Sequence, residues 1–308
     1  MLDHTHEIAV IEMGMSNFGE MERLSAIASP TSAVVTNIGI SHIEQLKTQE
    51  NIRAEKLHIA DTIGEQGALY LNGDDPMLQQ LRESYTGKIV WYGMESDCDY
   101  QAVNIDTVKD CTRFELHAPF GAHKIMIPAL GLHNVSNALA AIAVAYDQGL
   151  TLDDIRCGLL TYEGLAMRQQ IHELDKITVI DDSYNASPDS IKSGIGVLMA
   201  VKSTGKKIAV LADMLELGER SAQAHLELGA YAAASGVDAV VTVGREAEKI
   251  AEGAAEESRK ILVKACGTND EAFAELEKIL NDGDSVLVKG SRGMHTDEIV
   301  QKLLTKYQ

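Results

Sequence analysis

Polar and charged side chains gather in this chain at the ends of short apolar runs, and chemistry is expected there. Glu12 closes the run at 8–11, and Thr36-Asn37-Ile38-Gly39-Ile40-Ser41-His42 completes and follows the run at 33–37. A carboxylate and an imidazole delivered to one sheet edge could hold Mg²⁺, with water as most of the remaining ligands. A surface Glu and a capping His would leave the same pattern. The segment Ile180-Asp181-Asp182-Ser183-Tyr184-Asn185-Ala186-Ser187-Pro188-Asp189-Ser190 carries more polar groups than a helix cap and a first-turn proline require. Leu211-Ala212-Asp213-Met214-Leu215-Glu216-Leu217-Gly218 and Val288-Lys289-Gly290-Ser291-Arg292-Gly293 hold the corresponding positions after later runs. Lys289 and Arg292 beside small residues form a cationic, donor-rich loop suited to a carboxylate or phosphate.

Three further places stay open on the residues alone. Lys56, inside the helical pattern at 50–59, reads by default as a solvated helix charge. Asn134, after His133 at a helix start, either caps the helix or reads a ligand. Asn72-Gly73-Asp74-Asp75-Pro76 suffices as a strand-to-helix connection capped by Asp75 or Asp74. Glycine-rich phosphate signatures are missing: Gly194-Ile195-Gly196 lacks a third glycine, and Gly205-Lys206 is followed by Lys207 without the upstream glycine of a P-loop.

The elements that must position these groups alternate along the chain. Strand-like runs at 8–13, 33–37, 68–71 and 89–92 are separated by helical patterns at 19–27, 50–62 and 76–83, the order of βαβ units around a mainly parallel sheet. Residues 100–127 alternate and are rich in Thr, Val and Phe, which predicts antiparallel strands. Helices follow at 133–147 and 151–159, the second with Thr151 as cap and Asp154 as its box partner. Arg168 falls in a linker. Apolar strands at 178–181, 207–211, 239–243, 260–263 and 285–288, with helices starting near Pro188, Ser221, Glu246, Asp270 and Thr296, then predict a doubly wound unit with its ligand site beyond the strand C-termini.

A length of 308 residues suggests about two domains, and 45% hydrophobic with 24% charged residues excludes disordered, collagenous and coiled-coil classes. Lys plus Arg number 27 against 46 Asp plus Glu, a net charge of −19, so a phosphate backbone would be repelled and no nucleic-acid partner is expected. The four cysteines make no C-x-x-C pair, which argues against a zinc site or disulfide framework and fits a reducing cytosol. No apolar run approaches 18 residues, and 1–7 carries His and acid where a leader needs positive charge, so a soluble, cytoplasmic chain without membrane insertion is expected.

Taken together, the segments at 12–14, 37–42, 50–56, 72–75, 133–138, 181–190, 213–218 and 289–292 resemble the Mur ligase family, in family order and over essentially the whole chain. The Ser-Tyr-Asn-Ala-x-Pro-Asp-Ser loop and the Asp-Met-x-Glu-Leu-Gly block are similar to the type that joins D-alanyl-D-alanine to UDP-N-acetylmuramoyl-tripeptide. The resemblance implies an ATP-dependent amide ligase of peptidoglycan precursor synthesis that works through an acyl phosphate. It implies Mg²⁺ held by Glu12 and His42, with Lys56 carbamylated to bridge a second Mg²⁺. It also places Asn134 at the adenine, Arg168 at the ATP phosphates and Asp182 at the ribose, with Tyr184, Asn185, Lys289 and Ser291 near the incoming dipeptide. Family members carry a UDP-sugar domain and a Gly-x-x-Gly-Lys-Thr/Ser loop ahead of the strand that ends in Glu12, and neither is found here. The expectation is therefore an α/β chain with an N-terminally incomplete central ATP-binding domain at 1–163 and a complete, Rossmann-like C-terminal domain at 164–308. Such a chain would have little activity alone, with a separate P-loop-bearing part as a candidate partner. Two other readings are a non-catalytic remnant that binds nucleotide or dipeptide, and a related Mur-type ligase with another acceptor, against which Tyr184-Asn185 argues.

Overall fold

The computed structural model describes residues 3–95 and 97–308; Met1 and Leu2, at the head of the stretch read for a leader, and Ser96 lie outside them. Two six-stranded sheets organise the chain. The first is built in sequence order from β1 (Ala33–Val35), β2 (Leu69–Asn72), β3 (Ile89–Gly93), β4 (Tyr100–Val108), β5 (Cys111–Ala118) and β6 (Gly121–Ile127). Strands β1 to β4 run parallel, and β4 to β6 form an antiparallel meander. Helices α1 (Glu20–Ala28), α2 (Ile43–Leu46), α3 (Gln49–Leu57) and α4 (Pro76–Gln79) cover one face, and α5 (Leu132–Asp147) and α6 (Leu152–Leu160) the other. Leu69, Leu71 and Trp91 point to the first cover, while Tyr70, Val90 and Tyr92 point to the second. A sheet covered on both faces needs apolar side chains at successive positions, which is why these strands read as continuous apolar runs.

The second sheet comprises β7 (Gln170–Glu173), β8 (Thr178–Asp182), β9 (Lys207–Ala212), β10 (Ala239–Val243), β11 (Leu262–Cys266) and β12 (Ser285–Lys289), in the order β11-β10-β9-β12-β8-β7. All its pairs are parallel except β7 with β8. Helices α7 (Pro188–Ala200), α8 (Ser221–Ala234) and α9 (Glu248–Glu257) pack on one face, and α10 (Asn269–Ile279) and α11 (Asp297–Tyr307) on the other. The order reverses at β9 and β12, so a crevice opens past the C-terminal ends of β8, β9 and β12. This is the predicted doubly wound unit. The capping box at Thr151 and Asp154 is also present at the start of α6.

Three expectations need correction. Residues 8–13 form no strand: Ile8, Val10 and Ile11 are exposed, and β1 pairs only with β2, so the run has neither a ladder partner nor a layer to bury it. The strand expected at 260–263 is β11, displaced to Leu262–Cys266 because its register on β10 begins with Ala239 opposite Leu262. Strand β7 was not anticipated; as a short edge strand of Gln, Ile, His and Glu, it needs no apolar run. Among the described residues no helix is long and apolar enough to cross a membrane.

Candidate functional site

The second sheet supplies a rigid floor. Lys289 ends β12 directly opposite Asp182 at the end of β8, and the parallel register brings their charges to 2.7 Å. Both side chains are buried, at 4% and 7% exposure. Burial pushes the Asp182 carboxyl above the usual carboxylate range against the pull of Lys289, and burial likewise pushes Lys289 down against the pull of Asp182. Lys289 Nζ also donates to the Asn185 carbonyl at 2.9 Å, which ties the loop after β8 to β12. Asp181 accepts from the backbone N–H and the hydroxyl of Ser183, so this first acid of the pair shapes the turn.

Strand β9 is followed by a loop that is equally fixed. Asp213 accepts from Ala247 N–H at 2.7 Å, His225 Nε2 accepts from Met214 N–H at 2.9 Å, and Ser291 Oγ accepts from Leu215 N–H at 2.9 Å. His225 Nδ1 donates to the Ser221 carbonyl at 2.7 Å, so both ring nitrogens hold backbone. Ser291 is thus a buried brace for the loop.

A cleft of about 930 Å³ opens between the two halves. Asn134, Arg168, Asp182, Tyr184, Asn185 and Lys289 all line it, so six of the residues selected from sequence meet there. The Arg168 guanidinium stacks over Tyr184 at 4.3 Å from the ring centroid, and Tyr184 N–H donates to the Met167 carbonyl. Both tie the linker to the loop after β8. Asn134 sits in the first turn of α5, where its amide donates to the Leu130 carbonyl at 2.8 Å, and it lines the cleft. His133 beside it is pushed below the usual histidine range chiefly by burial, and a neutral imidazole suits a site already facing Lys289.

Glu12, His42, Lys56 and Ser291 do not line this cleft. Lys56 Nζ donates to the Asn37 carbonyl at 2.8 Å, and Asn37 does line it. His42 caps α2 in a left-handed conformation and places Nδ1 2.5 Å from Glu216 of the other half. Glu12 is exposed on the unpaired stretch described above. No cluster of three His, Cys, Asp or Glu suited to a metal occurs among the described residues. His42 Nδ1 is engaged by Glu216, and burial lowers the Lys56 pKa against the pull of Asp75 and Asp189.

Sequence reasoning treated Asn72-Gly73-Asp74-Asp75 only as a connection. Asp75 does cap α4, accepting from Met77 and Leu78 N–H, and it also accepts from Ile38 N–H at 2.6 Å. Asp74 accepts from Met94 and Glu95 N–H and borders the cleft with Asn72. A Cβ at Gly93 would come within 2.6 Å of Asp74, so only glycine lets that carboxylate approach. The signal available in the sequence was position: Asn72 ends a parallel strand, as Asp182 and Lys289 do.

Two mixed sheets, each covered on both faces and bordering one cleft, the second of them doubly wound, define a two-part α/β architecture. Residues 1–145 match the Mur ligase middle domain and residues 167–292 the Mur ligase glutamate ligase domain, and the chain belongs to the Mur ligase family. Among curated relatives, the UDP-N-acetylmuramoyl-tripeptide--D-alanyl-D-alanine ligase of Bacillus subtilis (strain 168) is 38% identical over 299 residues, covering 97% of this chain and 64% of the relative. The crystal structure of MurF from Acinetobacter baumannii is similar with a TM-score of 0.89 at 32% identity, over 99% of this chain and 66% of that one. A MurF ligase from Thermotoga maritima in complex with ADP follows with a TM-score of 0.83 at 27% identity, over 95% of this chain and 66% of that one. The chain therefore spans slightly less than two thirds of the relatives it matches.

Proposed function

We propose that the chain is the ATP-binding and acceptor-binding portion of a ligase that joins D-alanyl-D-alanine to UDP-N-acetylmuramoyl-tripeptide in the cytoplasm. The reading divides it into a central domain at 1–163 and a C-terminal domain at 164–308. The observation that carries it is the cleft in which Asn134, Arg168 and Asp182 converge from both halves. Asn134 offers an amide oxygen to a purine amino group, Asp182 accepts from ribose hydroxyls, and exposed Arg168 reaches the phosphates. Tyr184 and Asn185 shape the side of the cleft where the dipeptide lies, with Lys289 fixing their loop from beneath. In the reaction the tripeptide carboxylate takes the γ-phosphoryl group of ATP, the dipeptide amine attacks the resulting acyl phosphate, and inorganic phosphate leaves. Glu12, His42 and carbamylated Lys56 would hold Mg²⁺, which supplies charge neutralisation at the phosphates.

Calorimetric titration of ADP into the chain tests this reading. Asn134→Ala and Asp182→Asn are each expected to weaken ADP by about 1–3 kcal/mol, as for the loss of a buried hydrogen bond. Unchanged affinity in both would return Asn134 to a helix-start role and Asp182 to its ion pair.

A further inference from the structure

Strand β7 pairs antiparallel with β8, Gln170 opposite Asp181. One step further along that register Gln169 falls beside Asp182, and both its backbone N–H and its side-chain amide hydrogen-bond the carboxylate. The same side chain is hydrogen-bonded to the His133 ring at the start of α5. Gln169, His133 and Asp182 all line the cleft, so one linker residue touches both halves there. The backbone that delivers it is uncommon. Gln169 has φ 54° and Met167 φ 61°, so both neighbours of Arg168 are left-handed without being glycine. A side chain in that region costs free energy that glycine avoids, and strain held in a cleft wall points to what the side chain does there.

An ionised carboxylate only accepts, so Asp182 takes hydrogen bonds from Lys289 Nζ at 2.7 Å and from two N–H groups of Gln169. Strands β12 and β7 flank β8, which means that the carboxylate is held from both sides. A carboxylate held in this way cannot swing to follow a sugar, and the sugar has to fit it. We propose that Gln169 is a positioning residue of the nucleotide site: it aims the Asp182 carboxylate at the ribose hydroxyls and so sets the preference for a ribonucleotide over one lacking them. Its contact with His133 ties the same carboxylate to α5, the helix that carries Asn134. The proposal rests on the reading of Asp182 as the ribose acceptor. It adds a residue that no apolar run marks, because Gln169 gains its place only from the pairing of an edge strand.

The experiment titrates ADP and 2′,3′-dideoxy-ADP calorimetrically into the full 308-residue chain and into its Gln169→Gly variant. Glycine takes a φ of 54° without strain and keeps the backbone N–H, so only the amide is removed and the thermal midpoint is expected to hold. The unsubstituted chain is expected to prefer ADP. Gln169→Gly is expected to lose about 10-fold of that preference while binding the dideoxy nucleotide as before. Gln169→Asn also accepts left-handed backbone but is one methylene shorter; it is expected to lose the preference likewise, and it carries the test if the glycine variant unfolds. A preference unchanged in both variants, or an equal loss for both nucleotides, overturns the proposal and leaves the amide as a support for the fold. If the unsubstituted chain binds ADP no better than the dideoxy nucleotide, the ribose reading of Asp182 has failed and the proposal falls with it. The unsubstituted chain thus separates the two failures.

Discussion

Two of the three donors of Lys289 are engaged inside the protein, one with Asp182 at 2.7 Å and one with the Asn185 carbonyl at 2.9 Å. That changes what the residue does. The sequence resemblance sent Lys289 to the dipeptide and Asp182 to the ribose as separate contacts, whereas the register of β8 on β12 makes them one buried pair. Types and positions along the chain were enough to select both residues, because each ends an apolar strand. Their coupling was not legible, since it depends on β12 inserting between β8 and β9, and nothing local to either segment encodes that order. The pair also predicts a measurable asymmetry. Lys289→Met leaves a carboxylate uncompensated in a buried place and is expected to cost about 3–5 kcal/mol. Adding Asp182→Asn should recover much of that loss, because the orphaned charge is then gone. Urea unfolding of the two single variants and the double variant measures the coupling; additive losses would show that the pair does not act as a unit.

Helices α8 and α9 illustrate the same limit at the scale of elements. Their existence and approximate starts were readable from hydrophobic periodicity, but their closeness was not. A Cβ on Gly229 would lie 2.0 Å from the Ile250 carbonyl oxygen, and one on Gly253 would lie 2.0 Å from that of Leu226. Each glycine lets the backbone of the facing helix approach, and overpacking such a contact typically costs about 1–3 kcal/mol. Gly229→Ala is therefore expected to lower the unfolding midpoint clearly. Gly196 in α7 provides the contrast, since it is exposed and a Cβ there meets nothing within 4 Å. Gly196→Ala should stabilise by about 0.5–1 kcal/mol through the lower backbone entropy of the unfolded chain. Thermal denaturation of the two variants side by side would decide it, and shifts of the same sign would contradict the packing argument. Sequence alone read Gly196 correctly as a helix residue, but it carried no mark that Gly229 sits in a contact.

At the scale of the whole molecule, the alternation of strands and helices revealed both sheets, and Thr, Val and Phe patterning revealed the meander. What escaped was whatever depends on a neighbour, such as the unpaired state of 8–13 and the edge strand β7. The layered cores indicate how far each half stands by itself. The cluster beneath α10 and α11 draws every buried member from beyond residue 164. In the cluster beneath α7, α8 and α9, Leu130 is, among the described residues, the one buried side chain contributed by the first half. Removing 1–163 would thus uncover a patch near Val197 and the loop after β8, while both faces of the second sheet stay covered by their own helices. Residues 164–308 are accordingly expected to fold alone and to lose far-UV circular dichroism in one cooperative urea transition. The single tryptophan, Trp91, lies in the first half, so its fluorescence in the full chain follows that half separately. If the second half is autonomous, its transition measured alone should fall close to the dichroism transition it contributes in the full chain. A broad, non-cooperative loss of signal from 164–308 would mean instead that the contacts around Leu130 and the pairing of His42 with Glu216 are needed to complete its fold.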